Sequence, residues 1–151
     1  MYGHATILKE IIEKKSKYPI RRRNRNLPLN PPSLENPLLM IAEIKRASPS
    51  SGKLSEIPCV KELAKSYLDS GADVVSILCE KDYFQGDIED LLEVKMAYPW
   101  ACVLRKDFIV QTEQIQESYD FGADMVLLIV ALFMEGQNGG LEQLKNLNEK
   151  A

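Results

Sequence analysis

A single histidine, His4, stands in 151 residues, close to a terminus of the kind that frays. That leaves no histidine-based triad and no histidine metal cluster. Cysteine is scarce and odd in number: Cys59, Cys79 and Cys102 lie far apart with no C-x-x-C pair. Neither a disulfide framework nor a zinc site is signalled, and buried reduced thiols are expected. No apolar run approaches the roughly 20 residues a membrane span requires, and no apolar core with a small-residue cleavage site marks a signal peptide. The expected location is cytoplasmic. Neither sign of charge dominates, with 19 Lys and Arg against 22 Asp and Glu and a net charge of −3. This argues against nucleic acid or a membrane surface as partner, and the local exception is the run Arg21, Arg22, Arg23 and Arg25.

What is present is a soluble globular composition, 45% hydrophobic and 27% charged, of a size for one domain. Residues 7–17, ILKEIIEKKSK, place Ile7, Leu8, Ile11 and Ile12 on one helical face. Residues 18–37, rich in Pro, Asn and Arg, have no period and read as an irregular segment crossing the body. Its arginines are expected to form a solvated surface, with a ligand role as the alternative. From 38 onward strand and helix alternate: strands at 38–45, 73–78, 101–106 and 124–130, helices at 60–70, 88–97, 112–121 and 141–149. Single helices between strands predict right-handed β-α-β units and a parallel sheet. The chain thus divides into 1–37, a helix and basic segment, and 38–151, the β/α units. A repeat supports the scheme: Gly71-Ala72-Asp73 and Gly122-Ala123-Asp124 each precede a strand, as a glycine that ends a helix in the left-handed conformation would. Repetition fits a barrel better than an open sheet without excluding the latter. The stretch Gly136 to Gly140 is loose for a β-α turn.

The chemistry concentrates in MIAEIKRASPSSGKL (40–54) and CVLRKDFIV (102–110). Alternation puts Ile41, Glu43 and Lys45 on one face of the first strand and Ala42 and Ile44 on the other. A carboxylate and an ammonium at the end of a buried strand are costly unless paired or used. Lys106 and Asp107 close a second apolar run in the same manner, and two lysines at two strand ends suit an anionic ligand. Solvated strand ends are the plain alternative for either lysine. Glu43, Lys45, Glu80, Lys106 and Asp107 all fall at C-terminal strand ends, the face on which barrel enzymes build their sites.

These residues resemble indole-3-glycerol phosphate synthase, a (β/α)8-barrel family of tryptophan biosynthesis. The matching segments are IAEIKRASPSSG (41–52), SILCEKDYFQG (76–86), LRKDFIV (104–110) and GADMVLLIVAL (122–132). The resemblance implies a TIM barrel, of which the chain supplies the first four β/α units after an N-terminal helical extension. It implies conversion of 1-(2-carboxyphenylamino)-1-deoxyribulose 5-phosphate to indole-3-glycerol phosphate by ring closure, loss of carbon dioxide and dehydration, with no cofactor and no metal. By motif, Lys106 corresponds to the general acid and Glu43 and Lys45 to the pair that organises the anionic substrate. Ser48, Pro49 and Ser50 correspond to the loop over the site. Ser76, Leu78, Phe84, Phe108 and Leu127 correspond to the pocket for the aromatic ring; ordinary core packing is the alternative for Phe84, Phe108 and Leu127, and for Leu127 an equal one.

The chemistry fits these residue types. Closing a ring onto a ketone needs a proton donor at the developing alkoxide, and a lysine serves if burial and a neighbouring cation such as Lys45 lower its pKa. A substrate bearing a carboxylate and a phosphate needs cations and an apolar slot. The resemblance places an opposing glutamate, an asparagine, a further glutamate and the glycine-rich phosphate turns on strands 5 to 8, beyond these residues. The expectation for the isolated chain is therefore inactivity, with self-association or pairing with a complementary half through uncovered sheet edges and an inner face including Leu78, Leu104 and Leu127. A non-catalytic half-barrel assembly module is the alternative of another class, and a phosphoribosylanthranilate isomerase the alternative enzyme.

Overall fold

The computed structural model describes the backbone of residues 3–33, 35, 38–54 and 56–151, and their side chains apart from those of 3–6 and 135–138. Helix α1 (Gly3–Lys15) and an irregular strap lead to strand β1 (Ile41–Ile44), followed by a small hairpin of β2 (Ala47–Ser48) and β3 (Gly52–Lys53). Then come α2 (Val60–Asp69), β4 (Val74–Leu78), α3 (Ile88–Ala97), β5 (Cys102–Lys106), α4 (Thr112–Asp120) and β6 (Met125–Val126). A 3-10 helix (Val130–Gly139) runs into α5 (Gly140–Lys150). The sheet order is β1-β4-β5-β6, every pair parallel, so the predicted β/α alternation and the sequential strand order are both present.

Register follows the alternation of side chains. Glu43 is level with Ser76, Ser76 with Leu104, and Leu104 with Met125, whereas Ile44, Ile77, Arg105 and Val126 form the row facing the other way. The second face carries the main core: Ile44, Val75, Ile77 and Val103 pack with Val60 and Ala64 of α2 and Leu91 and Val94 of α3. Full burial of one such aliphatic side chain contributes about 1.5–3 kcal/mol. On the first face Val74, Cys102 and Leu104 cluster with Met125. Leu78 and Leu104 are buried and Leu127 is half-buried, so the inner apolar face expected to lie uncovered is covered at 78 and 104 and only partly so at 127. Leu8, Ile11 and Ile12 of α1 are turned inward as the period predicts.

The fourth strand is shorter than the expected 124–130, pairing only at 125 and 126. Its partner explains this: β5 ends at Lys106 and the chain then leaves for α4, so the Leu127 amide donating to the Arg105 carbonyl (3.3 Å) is the last ladder bond. The glycine-rich stretch expected to be loose lies within the 3-10 helix and the start of α5.

The strap refines a second expectation: Arg21, Arg22 and Arg23 are exposed, as a solvated surface requires, whereas the Arg25 side chain is buried, and Arg21, Arg22 and Arg25 each hold a carboxylate. Arg25 is buried against Asp124 (3.2 Å), Arg22 pairs with Asp120, and Arg21 meets Asp87 at 2.7 Å while its amide donates to Glu117 at 2.8 Å. Their planar heads also lie over aromatic rings, Arg25 over Tyr119 and Arg21 and Arg23 over Phe121, so packing and charge both fasten the strap.

The repeated Gly-Ala-Asp has a concrete role. Gly71 and Gly122 have φ of +93° and +98°, the left-handed turn that L side chains resist. The aspartates then stitch each strand's entry to its neighbours: Asp73 accepts from the Met40 amide (2.8 Å). Asp124 accepts from Lys95 Nζ (2.7 Å), the Val103 amide (2.9 Å), the Asn30 amide (2.9 Å) and Arg25. Among the described residues no helix is long and apolar enough to cross a membrane.

Candidate active site

Three charged side chains meet at the C-terminal end of the sheet. Glu43 sits on the face opposite buried Ile44, as the strand period requires. One carboxylate oxygen takes Lys45 Nζ at 3.2 Å and the other a short contact from Lys106 Nζ. Glu43 thus joins the ends of β1 and β5 across the intervening β4. All three side chains are partly exposed, at 26% for Glu43, 34% for Lys45 and 39% for Lys106, and therefore accessible to a ligand. Burial pushes the Glu43 carboxyl up, but the bonds from Lys106 and Lys45 outweigh it and hold the group below its ordinary value. Lys45 was expected to act on Lys106 directly as a second cation, but the carboxylate lies between them. The trio carries one net positive charge, which an incoming anion can engage.

The apolar positions expected for a ring pocket lie on the same strands or on the loops that follow them. Leu78 is level with Lys106, and the last ladder bond brings Leu127 in line on the next strand. Phe84 and Phe108, from the loops after β4 and β5, are half-buried and approach each other with ring centroids 6.1 Å apart, tilted by 42°. Such a pair can wall a planar ring. Ser76 is buried, and its hydroxyl has no hydrogen-bond partner among the described residues, a state costing about 1–3 kcal/mol unless a ligand or water answers it. Ser48, Pro49 and Ser50 form the tip of the β2–β3 hairpin. Ser48 Oγ accepts from the Ser51 amide (3.2 Å) and lies 3.3 Å from Ser50 Oγ, and Pro49 and Ser50 are exposed.

Two carboxylates expected on this face have other duties. Glu80 is buried and accepts from the amides of Asp82 (3.1 Å), Tyr83 (2.8 Å) and Phe84 (3.1 Å), folding the loop that carries Phe84. Asp107 turns the other way, into a buried cluster with Lys15 at 2.7 Å and Arg105 at 2.9 Å. Burial pushes its carboxyl up, and the Arg105 and Lys15 cations outweigh that and hold it below the usual range. Strand period predicts this for a residue next to Lys106, since neighbours point to opposite faces.

The sequence reading did not single out two residues that support the site. Arg46 grips Asp90 of α3 (3.0 Å) and anchors the hairpin's base. Lys15 is the other, and it carried a signal: it falls three and four residues after Ile12 and Ile11, on the buried stripe of α1. Two of the thiols are poorly suited to act as nucleophiles, since burial disfavours the thiolate. Burial pushes Cys102 up to about 11 and Cys79 higher, and Cys59 is only half-buried, unlike the expectation for all three. Among the described residues no group of three or more His, Cys, Asp or Glu side chains is arranged to hold a metal. A cavity of about 610 Å³ between α4 and β6, lined by Thr112, Gln116, Met125 and Val126 among others, includes none of the charged trio.

Residues 6–151 match the family described as indole-3-glycerol phosphate synthase. Proteins named indole-3-glycerol phosphate synthase are similar to the chain. That of Campylobacter curvus is 38% identical over 143 residues, covering 87% of this chain and 54% of the relative. That of Mycobacteroides abscessus is 50% identical over 94 residues, covering 62% and 34%. That of Mycolicibacterium smegmatis is 53% identical over 92 residues, covering 61% and 34%. The matched parts span about a third to a half of the length of these curated relatives.

Proposed function

The chain belongs to the indole-3-glycerol phosphate synthase family, and we propose that Glu43, Lys45 and Lys106 form part of the catalytic centre of such an enzyme. The observation that carries this reading is the meeting of the three groups, with Glu43 bridging both lysines at the strand ends. The substrate is 1-(2-carboxyphenylamino)-1-deoxyribulose 5-phosphate. As its aromatic carbon bonds to the ketone carbon, negative charge grows on the ketone oxygen, and Lys106 donates a proton there. Carbon dioxide then leaves the ring carbon that carried the carboxylate, and water is lost to give the indole. Lys45 holds the substrate carboxylate, and Glu43 keeps the two ammonium groups together before substrate arrives. Displacing Glu43 from Lys106 by a substrate anion is inexpensive because the pair is partly exposed, and such pairs are worth about 0–1 kcal/mol.

Phe84, Phe108, Leu78 and Leu127 supply the slot for the ring, Ser76 a hydroxyl within it, and Ser48, Pro49 and Ser50 the cover. The four parallel strands are the first half of a (β/α)8 barrel, consistent with the share of the relatives that the chain spans. The further β/α units supply the opposing carboxylate and the phosphate turns, and the enzyme works in the cytoplasm. The test is to incubate the full-length protein carrying these residues with the substrate and follow the indole product by its fluorescence. Product formation together with carbon dioxide release is the expected result. A folded full-length protein that leaves the substrate untouched would overturn the reading.

A further inference from the structure

The N-terminal helix reaches the site from behind through one buried ion pair. Lys15 closes α1, is 5% exposed, and places Nζ 2.7 and 2.9 Å from the two oxygens of Asp107. Asp107 follows Lys106 directly and precedes Phe108, whose amide donates to the Asp107 carboxylate at 2.9 Å. Arg105 supplies the second cation, bonding Asp107 at 2.9 Å and Glu117 of α4 at 2.9 Å. Glu117 in turn accepts the Arg21 amide of the strap (2.8 Å). Two cations and two carboxylates therefore balance in a buried cluster whose members flank Lys106 and hold the start of the strap.

Resting on the reading of Lys106 as the acid, we infer that Lys15 is a positioning residue for it: the Lys15–Asp107 pair sets the backbone of 106–108, and with it the aim of the Lys106 ammonium. Without Lys15, Asp107 is free to swing wholly onto Arg105, its bond to the Phe108 amide is no longer held from the opposite side, and residues 106–108 shift. A small misplacement of a proton donor reduces turnover more than binding. Lys15 also lies over the Tyr18 ring at 5.3 Å, but its buried ion pair is with Asp107, next to Lys106, so 106–108 is the shortest route from Lys15 to the acid.

The test compares Lys15→Met and the exposed neighbour Lys14→Ala in the full-length protein, each in the parent and in a Lys106→Ala background. For Lys15→Met we expect kcat to fall about tenfold with KM within about twofold in the parent background, and no further loss when Lys106 is absent. Lys14→Ala is expected to leave both constants unchanged. Parent-like kcat in folded Lys15→Met, or the same fractional loss in both backgrounds, would overturn the inference, the latter by showing a general structural effect. Should Lys15→Met not fold, Asp107→Asn, which keeps the shape and an acceptor for the Phe108 amide while removing the charge pair, is read by the same two criteria. A Lys106→Ala protein that turns over at the parent rate would refute the assignment of the acid instead, which keeps the two failures distinct.

Discussion

Replacing Asp124 by alanine removes a carboxylate that accepts four hydrogen bonds, and its cost can be built from its partners. Lys95 and Asp124 are both fully buried, at 2.7 Å. When the carboxylate goes, Lys95 keeps only the Ala101 carbonyl (2.8 Å), and stripping one partner from a buried pair costs about 3–5 kcal/mol. The amides of Val103 and Asn30 lose their acceptor as well, at about 1–3 kcal/mol each when no water replaces it. Partial hydration and relaxation reduce the sum, so the expected loss is at least about 4 kcal/mol, a large share of the roughly 5–15 kcal/mol of an ordinary domain. Removing the cation instead, as Lys95→Met, is milder, because Asp124 retains Arg25 and both amides. In urea, with a slope of about 2 kcal/mol per molar, Asp124→Ala should lower the midpoint by about 2 M. Lys95→Met should lower it less. The exposed pair of Lys65 and Asp69 supplies the control, with Lys65→Ala leaving the midpoint close to that of the parent. An Asp124→Ala midpoint within error of Lys65→Ala, or above that of Lys95→Met, would refute the reasoning.

Gly71→Ala and Gly122→Ala form a matched pair. Both impose alanine on a left-handed backbone, at about 1–2 kcal/mol, but a Cβ at 71 meets open space whereas one at 122 comes within 2.9 Å of Lys95 Cγ and 3.0 Å of Leu27 Cδ1. Overpacking adds about 1–3 kcal/mol, so calorimetry should show the larger drop in Tm for Gly122→Ala; equal drops would mean that the crowding is relieved without cost. The pH dependence has a definite sign. Asp107 and Glu43 are held below their ordinary values in the fold, so their stabilisation is fully present above the unfolded carboxyl value of about 4. It is lost as pH falls through the lower folded values. Tm measured from pH 6 down to pH 2 should therefore decline more gently for Asp107→Asn than for the parent, and parallel curves would contradict the assignment.

Most of the parallel sheet was legible because strand and helix periods differ and each element is long enough to show one. The left-handed glycines at 71 and 122 were legible for a sharper reason, the repeat of Gly-Ala-Asp before two strands. The meeting of Glu43, Lys45 and Lys106 was foreshadowed by strand phase, but the bridging position of Glu43 was not, because it depends on how β1 and β5 sit across β4. Short-range reading placed Glu80 and Asp107 at strand ends, where both stand, but could not give their partners: a carboxylate at a strand end looks the same in sequence whether it meets a ligand, three backbone amides or a buried lysine 92 residues away. The exposure of Arg21, Arg22 and Arg23 was legible, but the burial of Arg25 and the run's partners Asp87, Glu117, Asp120 and Asp124 were not, since those carboxylates lie on elements far along the chain. The early end of β6 follows from where β5 stops, which its own residues do not reveal.

The measurement that bears most directly on the central claim is steady-state turnover of 1-(2-carboxyphenylamino)-1-deoxyribulose 5-phosphate by Lys106→Ala in the full-length protein. A proton donor acts mainly in the transition state, so kcat should fall about 100- to 10,000-fold while KM changes by only a few-fold. Turnover close to the parent rate, or a loss confined to KM, would contradict the role given to Lys106.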